Sequence, residues 1–119
     1  MRVLVVEDDL AVARVLEIAL AQGGHAPFWV RDYPSAKAAL RQGWDAVILD
    51  LNLPGGSGLD LLRHLRQELG LDTPVLVLSG LKQERVAQQA LALGAQGVFT
   101  KPFSPGELLR RLESHVASR

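Results

Sequence analysis

Apolar residues along this chain follow two alternating rhythms. Short unbroken runs, Val3-Leu4-Val5-Val6, Ala46-Val47-Ile48-Leu49 and Val75-Leu76-Val77-Leu78, suit strands covered on both faces of a parallel sheet. Between them the apolar positions recur at helical spacing. Val12, Val15, Leu16, Ala19 and Leu20 predict a first helix, with Asp8 or Asp9 able to cap it and Gly23-Gly24 to end it. His25 to Arg31 predicts a second strand, placed at an edge or kept short by Pro27, which lacks a ladder donor. Tyr33 to Arg41 predicts a weakly apolar second helix, and Leu59 to Leu69 a third that closes at Gly70. Lys82 to Leu93 predicts a fourth helix, Gly97 to Thr100 a brief fifth strand, and Pro105 to Val116 a fifth helix.

Strands alternating with helices over short connections predict a single α/β domain spanning 1–119, doubly wound, with five parallel strands and helices on both faces. Right-handed winding sends the C-terminal end of every strand to one edge, the edge where open α/β sheets bind ligands. Each major run ends there on a polar residue. Glu7 and Asp8 follow the first strand, Asp50 ends the third, Ser79 follows the fourth and Lys101 the fifth, so all five are expected to meet. The loop after Asp50 is broken by Pro54, Gly55, Gly56 and Gly58 before the third helix begins.

Composition narrows what such a site does. At 119 residues the chain is one domain with enough surface to bury a core. It has no Cys, no signal-peptide pattern and no apolar run of membrane-spanning length, so a cytoplasmic protein without redox chemistry is expected. Thirteen Lys plus Arg balance thirteen Asp plus Glu, which leaves no basic excess for direct nucleic-acid binding.

Clustered carboxylates repel unless a cation joins them or some are protonated. Oxygen ligands without His or Cys favour Mg²⁺, with Mn²⁺ as the other choice, over zinc. Lys101 and Ser79 suit phosphoryl oxygens, and a carboxylate among them can itself be phosphorylated as a nucleophile. Taken singly these residues mean little: Glu7-Asp8-Asp9 reads as a solvated cap, Ser79 as a turn residue and Lys101 as a surface charge. Their register with Asp50 reverses that reading. His25, His64 and His115 have no ligand spacing, and Trp29 and Trp44 read as packing residues. Gly55-Gly56-Ser57-Gly58 lacks the Lys of a P-loop and the spacing of a dinucleotide fingerprint.

Val5 to Asp9, Ile48 to Gly58, Leu78-Ser79-Gly80 and Thr100 to Phe103 stand in the order and spacing of a known family. The chain resembles the receiver domain of two-component response regulators (CheY-like) over essentially its whole length. The resemblance implies a flavodoxin-like (βα)5 fold with strand order 2-1-3-4-5. It also implies that Asp50 accepts a phosphoryl group from a sensor histidine kinase or phosphotransfer protein. Asp8, Asp50 and the backbone carbonyl of Asn52 would hold Mg²⁺, Glu7 would assist through water, and Ser79 and Lys101 would hold the phosphoryl oxygens. A receiver of this kind catalyses only its own phosphorylation and dephosphorylation. An Asp-nucleophile hydrolase shares the chemistry but usually carries a second acid two residues on, where this chain has Asn52; a pseudo-receiver would have lost Asp8, Asp50 or Lys101.

Departures from the family pattern shape the expected output. Many members have Tyr or Phe at the position of Val98, and receivers attached to winged-helix DNA-binding domains often have two Asp where Gln96-Gly97 stands, the second pairing with an Arg near Arg111. Val98 has no ring to swing, so the moving part is expected at Ser79 to Lys82, with Gly80 as the flexible point. The face of the fourth helix, fifth strand and fifth helix is expected to engage an output domain or effector, with the protein a monomer or weak dimer. Arg119 follows the fifth helix directly, which suits either a stand-alone receiver or the receiver of a longer regulator.

Overall fold

The computed structural model describes residues 1–80 and 83–117. Strand β1 spans Arg2–Val6, β2 Ala26–Val30, β3 Ala46–Asp50, β4 Val75–Ser79 and β5 Gly97–Thr100. Helix α1 spans Leu10–Gln22, α2 Tyr33–Ala39, α3 Gly58–Arg63, α4 Glu84–Ala92 and α5 Pro105–Ala117. The strands form one parallel sheet in the order β2-β1-β3-β4-β5. This is the doubly wound flavodoxin-like arrangement expected from the sequence.

The unbroken apolar runs follow from burial on both faces. Along β1, Leu4 and Val6 face a core made with Val47, Leu49, Val75 and Val77 under α2, α3 and α4, whereas Val3 and Val5 join Ile48, Leu76 and Leu78 under α1 and α5. Leu61, Leu62 and Leu65 seal the first side, and Leu16, Leu20, Leu108 and Leu112 the second. Each such side chain stabilises the fold by about 1.5–3 kcal/mol on burial. Among the described residues, no helix is long and apolar enough to cross a membrane.

Edge placement of β2 agrees with Pro27. Ala26 N–H donates to the Met1 carbonyl and the Val30 carbonyl accepts from Glu7 N–H, so the even residues of β2 face β1 and Pro27 lies on the outward side, where no donor is missed.

Helix boundaries differ in places from those predicted. The second helix loosens into a 3-10 turn over Leu40–Gln42, which Gly43 at φ +68° ends. The third begins at Gly58 and widens into a π-helical turn over His64–Glu68 before Gly70. At that turn His64 is buried, with Nδ1 3.1 Å from Glu68 Oε2 but without hydrogen-bond alignment. The fourth helix starts at Glu84; its predicted first residue, Lys82, lies outside the described residues.

Candidate functional site

Strand register brings the polar strand ends together. Val6 pairs with Leu49, so Glu7 follows one step beyond, beside Asp50; Asp50 pairs with Leu78, so Ser79 stands one step beyond on its other side. Ser79 pairs in turn with Thr100, and its carbonyl accepts the Lys101 N–H at 2.8 Å. The expected assembly of Glu7, Asp50, Ser79 and Lys101 at one edge is therefore present, with Asp8 exposed at its mouth.

Of the two acids able to cap α1, Asp9 does so, its Oδ1 accepting from Ala11 N–H at 2.9 Å and Val12 N–H at 3.2 Å. Asp8 is thereby left to the carboxylate cluster. After Asp50, where the breakers Pro54, Gly55, Gly56 and Gly58 predict a loop, Asn52-Leu53 and Gly56-Ser57 pair as a small antiparallel ribbon. Gly55 makes its turn at φ +87°. The Ser57 hydroxyl accepts from Leu59 N–H at 3.1 Å and starts α3. Gly58 lies so close to the Asp50 carbonyl and Leu51 Cα that a Cβ there would collide with both. The ribbon turns Asn52 N–H back onto Asp50 Oδ1 at 3.0 Å.

Lys101 is the counter-charge of the cluster. Its Nζ lies 2.8 Å from Asp50 Oδ2 and 3.1 and 3.0 Å from the two Glu7 oxygens. Glu7 is fully buried and Asp50 nearly so. Burial pushes the Glu7 carboxyl up to about 7, helped by hydrogen bonding to Asp50 and by its charge; the bonds from Lys101 and from Asp9 N–H pull the other way. Desolvation alone would lower the Lys101 ammonium, but Asp50 and Glu7 outweigh it and its pKa rises. The repulsion anticipated from sequence is thus answered twice, by an inserted ammonium and by a carboxyl that holds its proton towards neutrality.

This donor set fits a hard divalent cation. Glu7, Asp8 and Asp50 each offer a carboxylate oxygen, all within 4.8 Å of one another, with no sulfur or imidazole among them.

A family model described as "Response regulator receiver domain" matches residues 3–113. The chain belongs to this family. As a receiver it is 39% identical over 115 residues to the phosphate regulon transcriptional regulatory protein PhoB of Escherichia coli, a match that covers 95% of this chain and 50% of PhoB. It is 40% identical over 117 residues to the response regulator protein PmrA of Pseudomonas aeruginosa, covering 96% of this chain and 52% of PmrA. The chain spans about half the length of the curated relatives it matches. Among solved structures, a Francisella response regulator 1452 receiver domain superposes with a TM-score of 0.90 at 28% identity, covering 98% of this chain and 97% of that one. The chemotaxis response regulator CheY4 of Vibrio cholerae gives 0.84 at 28% identity, covering 95% and 96%.

At the positions where this receiver departs from the family pattern, the structure supplies local partners. Gln96 turns inward: Val75 N–H donates to its Oε1 at 2.7 Å, and its own N–H donates to the Val75 carbonyl at 2.8 Å. The Arg111 guanidinium lies 5.5 Å from the Phe99 ring centroid, within 3.5 Å of the Gln96 carbonyl and over Gly97, where a Cβ would come within 2.7 Å of Nη2. Val98 is half-buried against the core under α4. Of the stretch expected to move, Ser79 and Gly80 are described, whereas Leu81 and Lys82 lie outside the described residues.

Two contacts at the site escaped the sequence pattern. Trp29 Nε1–H donates to the Glu7 carbonyl at 2.6 Å, which ties the edge strand to the carboxylate cluster. Gln83 Oε1 accepts from Gly80 N–H at 2.6 Å. Neither has a local signal: a Trp in an edge strand and a Gln at a helix start are common, and only three-dimensional proximity gives them meaning. Two of the His residues have structural places, His25 bridging Met1 N at 3.3 Å and Glu113 Oε2 at 2.8 Å and His64 buried at the π-helical turn. Trp44 packs on Phe28 under the Arg2 guanidinium, as expected of a packing residue.

Proposed function

We propose that this receiver accepts a phosphoryl group on Asp50 from a sensor histidine kinase or a phosphotransfer protein, in an Mg²⁺-dependent reaction within a phosphorelay. The observation that carries the reading is the setting of Asp50: Oδ2 on Lys101 Nζ at 2.8 Å, Oδ1 on Asn52 N–H at 3.0 Å, and the carboxylates of Glu7 and Asp8 alongside. In the transfer, a bond forms between an Asp50 carboxylate oxygen and phosphorus. The phosphorus–nitrogen bond of the donor's phosphohistidine breaks, and the leaving imidazole nitrogen takes up a proton. Phosphoryl transfer asks for positioning and charge stabilisation more than for covalent help. Lys101 and the Ser79 hydroxyl are assigned to the phosphoryl oxygens. Asp8, Asp50 and the Asn52 carbonyl are assigned to Mg²⁺, with Glu7 assisting through water. Bound there, the ion neutralises charge on the transferring group.

A protein donor is supported by the surface next to Lys101. Ala11, Val12, Val15, Pro102, Phe103 and Pro105 line an apolar groove of about 220 Å³ beside it, and Leu10 and Ile18 are more than half exposed on α1. A small-molecule phosphatase would have little use for such a face. We assign output to the α4-β5-α5 surface, engaged by an output domain or effector, in the cytoplasm where such kinases deliver phosphate. The whole-protein output, such as the transcriptional regulation that PhoB's name states, is part of this proposal.

Incubation with Mg²⁺ and acetyl phosphate, followed by mass spectrometric mapping, tests the assignment. One acyl phosphate on Asp50 is expected, with none in Asp50→Asn and no steady turnover of phosphomonoesters. Wild-type labelling of Asp50→Asn would overturn it.

A further inference from the structure

Gln83 occupies the N-cap position of α4, yet its side chain makes no capping hydrogen bond to that helix. Ser, Thr, Asp or Asn would serve a cap far better. The Gln83 carboxamide points back along the chain instead: Oε1 accepts from Gly80 N–H at 2.6 Å, while Gln83 N–H donates to the Gly80 carbonyl at 3.2 Å. Sheet alternation sets which way that Gly80 N–H faces. The Leu78 carbonyl accepts from Leu51 N–H on the β3 side, and the Ser79 carbonyl accepts from Lys101 N–H on the β5 side. Carrying the alternation one residue further turns Gly80 N–H to the β3 side, where the strand ends at Asp50.

We infer that Gln83 is a positioning residue of the phosphoryl site: in the unmodified receiver its side-chain carbonyl holds the Gly80 N–H that faces Asp50, and a phosphoryl group on Asp50 takes that N–H from it. The inference rests on Asp50 being the phosphoacceptor. An anionic phosphoryl oxygen is a stronger acceptor than a neutral carboxamide, so the exchange is favourable once the group is in place. Releasing Gln83 also releases the start of α4, which biases an equilibrium already present in the free protein. Gln83 thereby sets how readily the site accommodates the group.

The test compares wild type, Gln83→Ala and Gln83→Glu in the same 119-residue chain, by titration with beryllofluoride in Mg²⁺ and by acetyl phosphate labelling mapped to Asp50. Loss of one neutral hydrogen bond in Gln83→Ala is expected to tighten beryllofluoride binding roughly two- to ten-fold, because Gly80 N–H is then free. Gln83→Glu should weaken binding by a similar factor, since a carboxylate holds the N–H harder and repels the anion. The Gly80 amide proton should differ among the three proteins without the mimic and converge with it. A merely structural Gln83 would move both affinities the same way. Same-sign or unchanged affinities, with Asp50 labelled in all three, overturn the inference alone; absence of label on wild-type Asp50 overturns the phosphoacceptor reading and this inference with it.

Discussion

Glu7 is the residue whose chemistry departs furthest from its ordinary behaviour. Its carboxyl is raised from 4.5 to about 7, first by burial and then by Asp50, so the folded protein holds this proton more tightly than the unfolded chain does. The stabilisation linked to it is full below about 4.5 and is lost as the pH rises through about 7. In EDTA, urea denaturation of the wild type should therefore show a fall in stability between pH 5 and 8, and Glu7→Gln should flatten it. Asp32, lowered by the Ser35 N–H at its helix cap, acts with the opposite sign and only in acid, so the two windows separate. Lys101→Met removes the ammonium shared by Glu7 and Asp50. Because the Lys101 side chain is partly exposed, a loss of about 1.5–3 kcal/mol, the range of hydrogen bonds to charged groups, is expected at pH 8 in EDTA, and a smaller one at pH 5, where Glu7 is protonated.

Among the elements, α1 and α3 each place a site residue through their first turn. Asp9 caps α1 and so fixes the line on which Asp8 leaves β1; Asp9→Ala should cost about 1 kcal/mol in chemical denaturation. Gly58 begins α3 against the backbone of Asp50 and Leu51. Those atoms belong to a buried strand end and cannot give way as a flexible side chain would. Gly58→Ala is expected to destabilise by about 1–3 kcal/mol, the range of overpacked sites, and to weaken Mg²⁺ binding by displacing Asp50. Calorimetry with Mg²⁺ checks the second effect: unchanged affinity would show that α3, and not Asp50, absorbs the added methyl.

Across the whole molecule, the α4-β5-α5 face that we propose for output differs from what a salt-bridged receiver dimer needs. Arg111 is engaged with Phe99 and the Gln96 carbonyl of its own chain and fills the space left by Gly97. Gln96 is spent on the start of the β4–β5 ladder. No Asp is present at either position to draw Arg111 outward. Sedimentation at micromolar protein is expected to show a monomer, with at most weak self-association when beryllofluoride is added. A tight dimer formed only with the mimic would mean that other residues of α4 and α5 carry the interface.

The five strands of the parallel sheet and the five helices were legible in the chain, because a strand buried on both faces has no polar position to spare and must read as an unbroken run, whereas helices covering such a sheet must repeat every three to four residues. The small ribbon of Asn52-Leu53 and Gly56-Ser57 was not. The strand-end positions of Glu7, Asp50, Ser79 and Lys101 followed from the same pattern, since each run stops where the backbone leaves the core. What the pattern left open was which of two like neighbours caps α1. Asp8 and Asp9 are the same residue type, and only the departure of the chain from β1 makes Asp9 the cap, while Asp8 stands in the cluster where its place after the first strand put it. The π-helical turn at His64, the inward Gln96, the Trp29 contact to Glu7 and the hold of Gln83 on Gly80 all depend on partners brought close by the fold. The raised carboxyl of Glu7 belongs with them. A sequence records which groups can ionise, but burial and the distance to a second charge exist only once the sheet has closed over them.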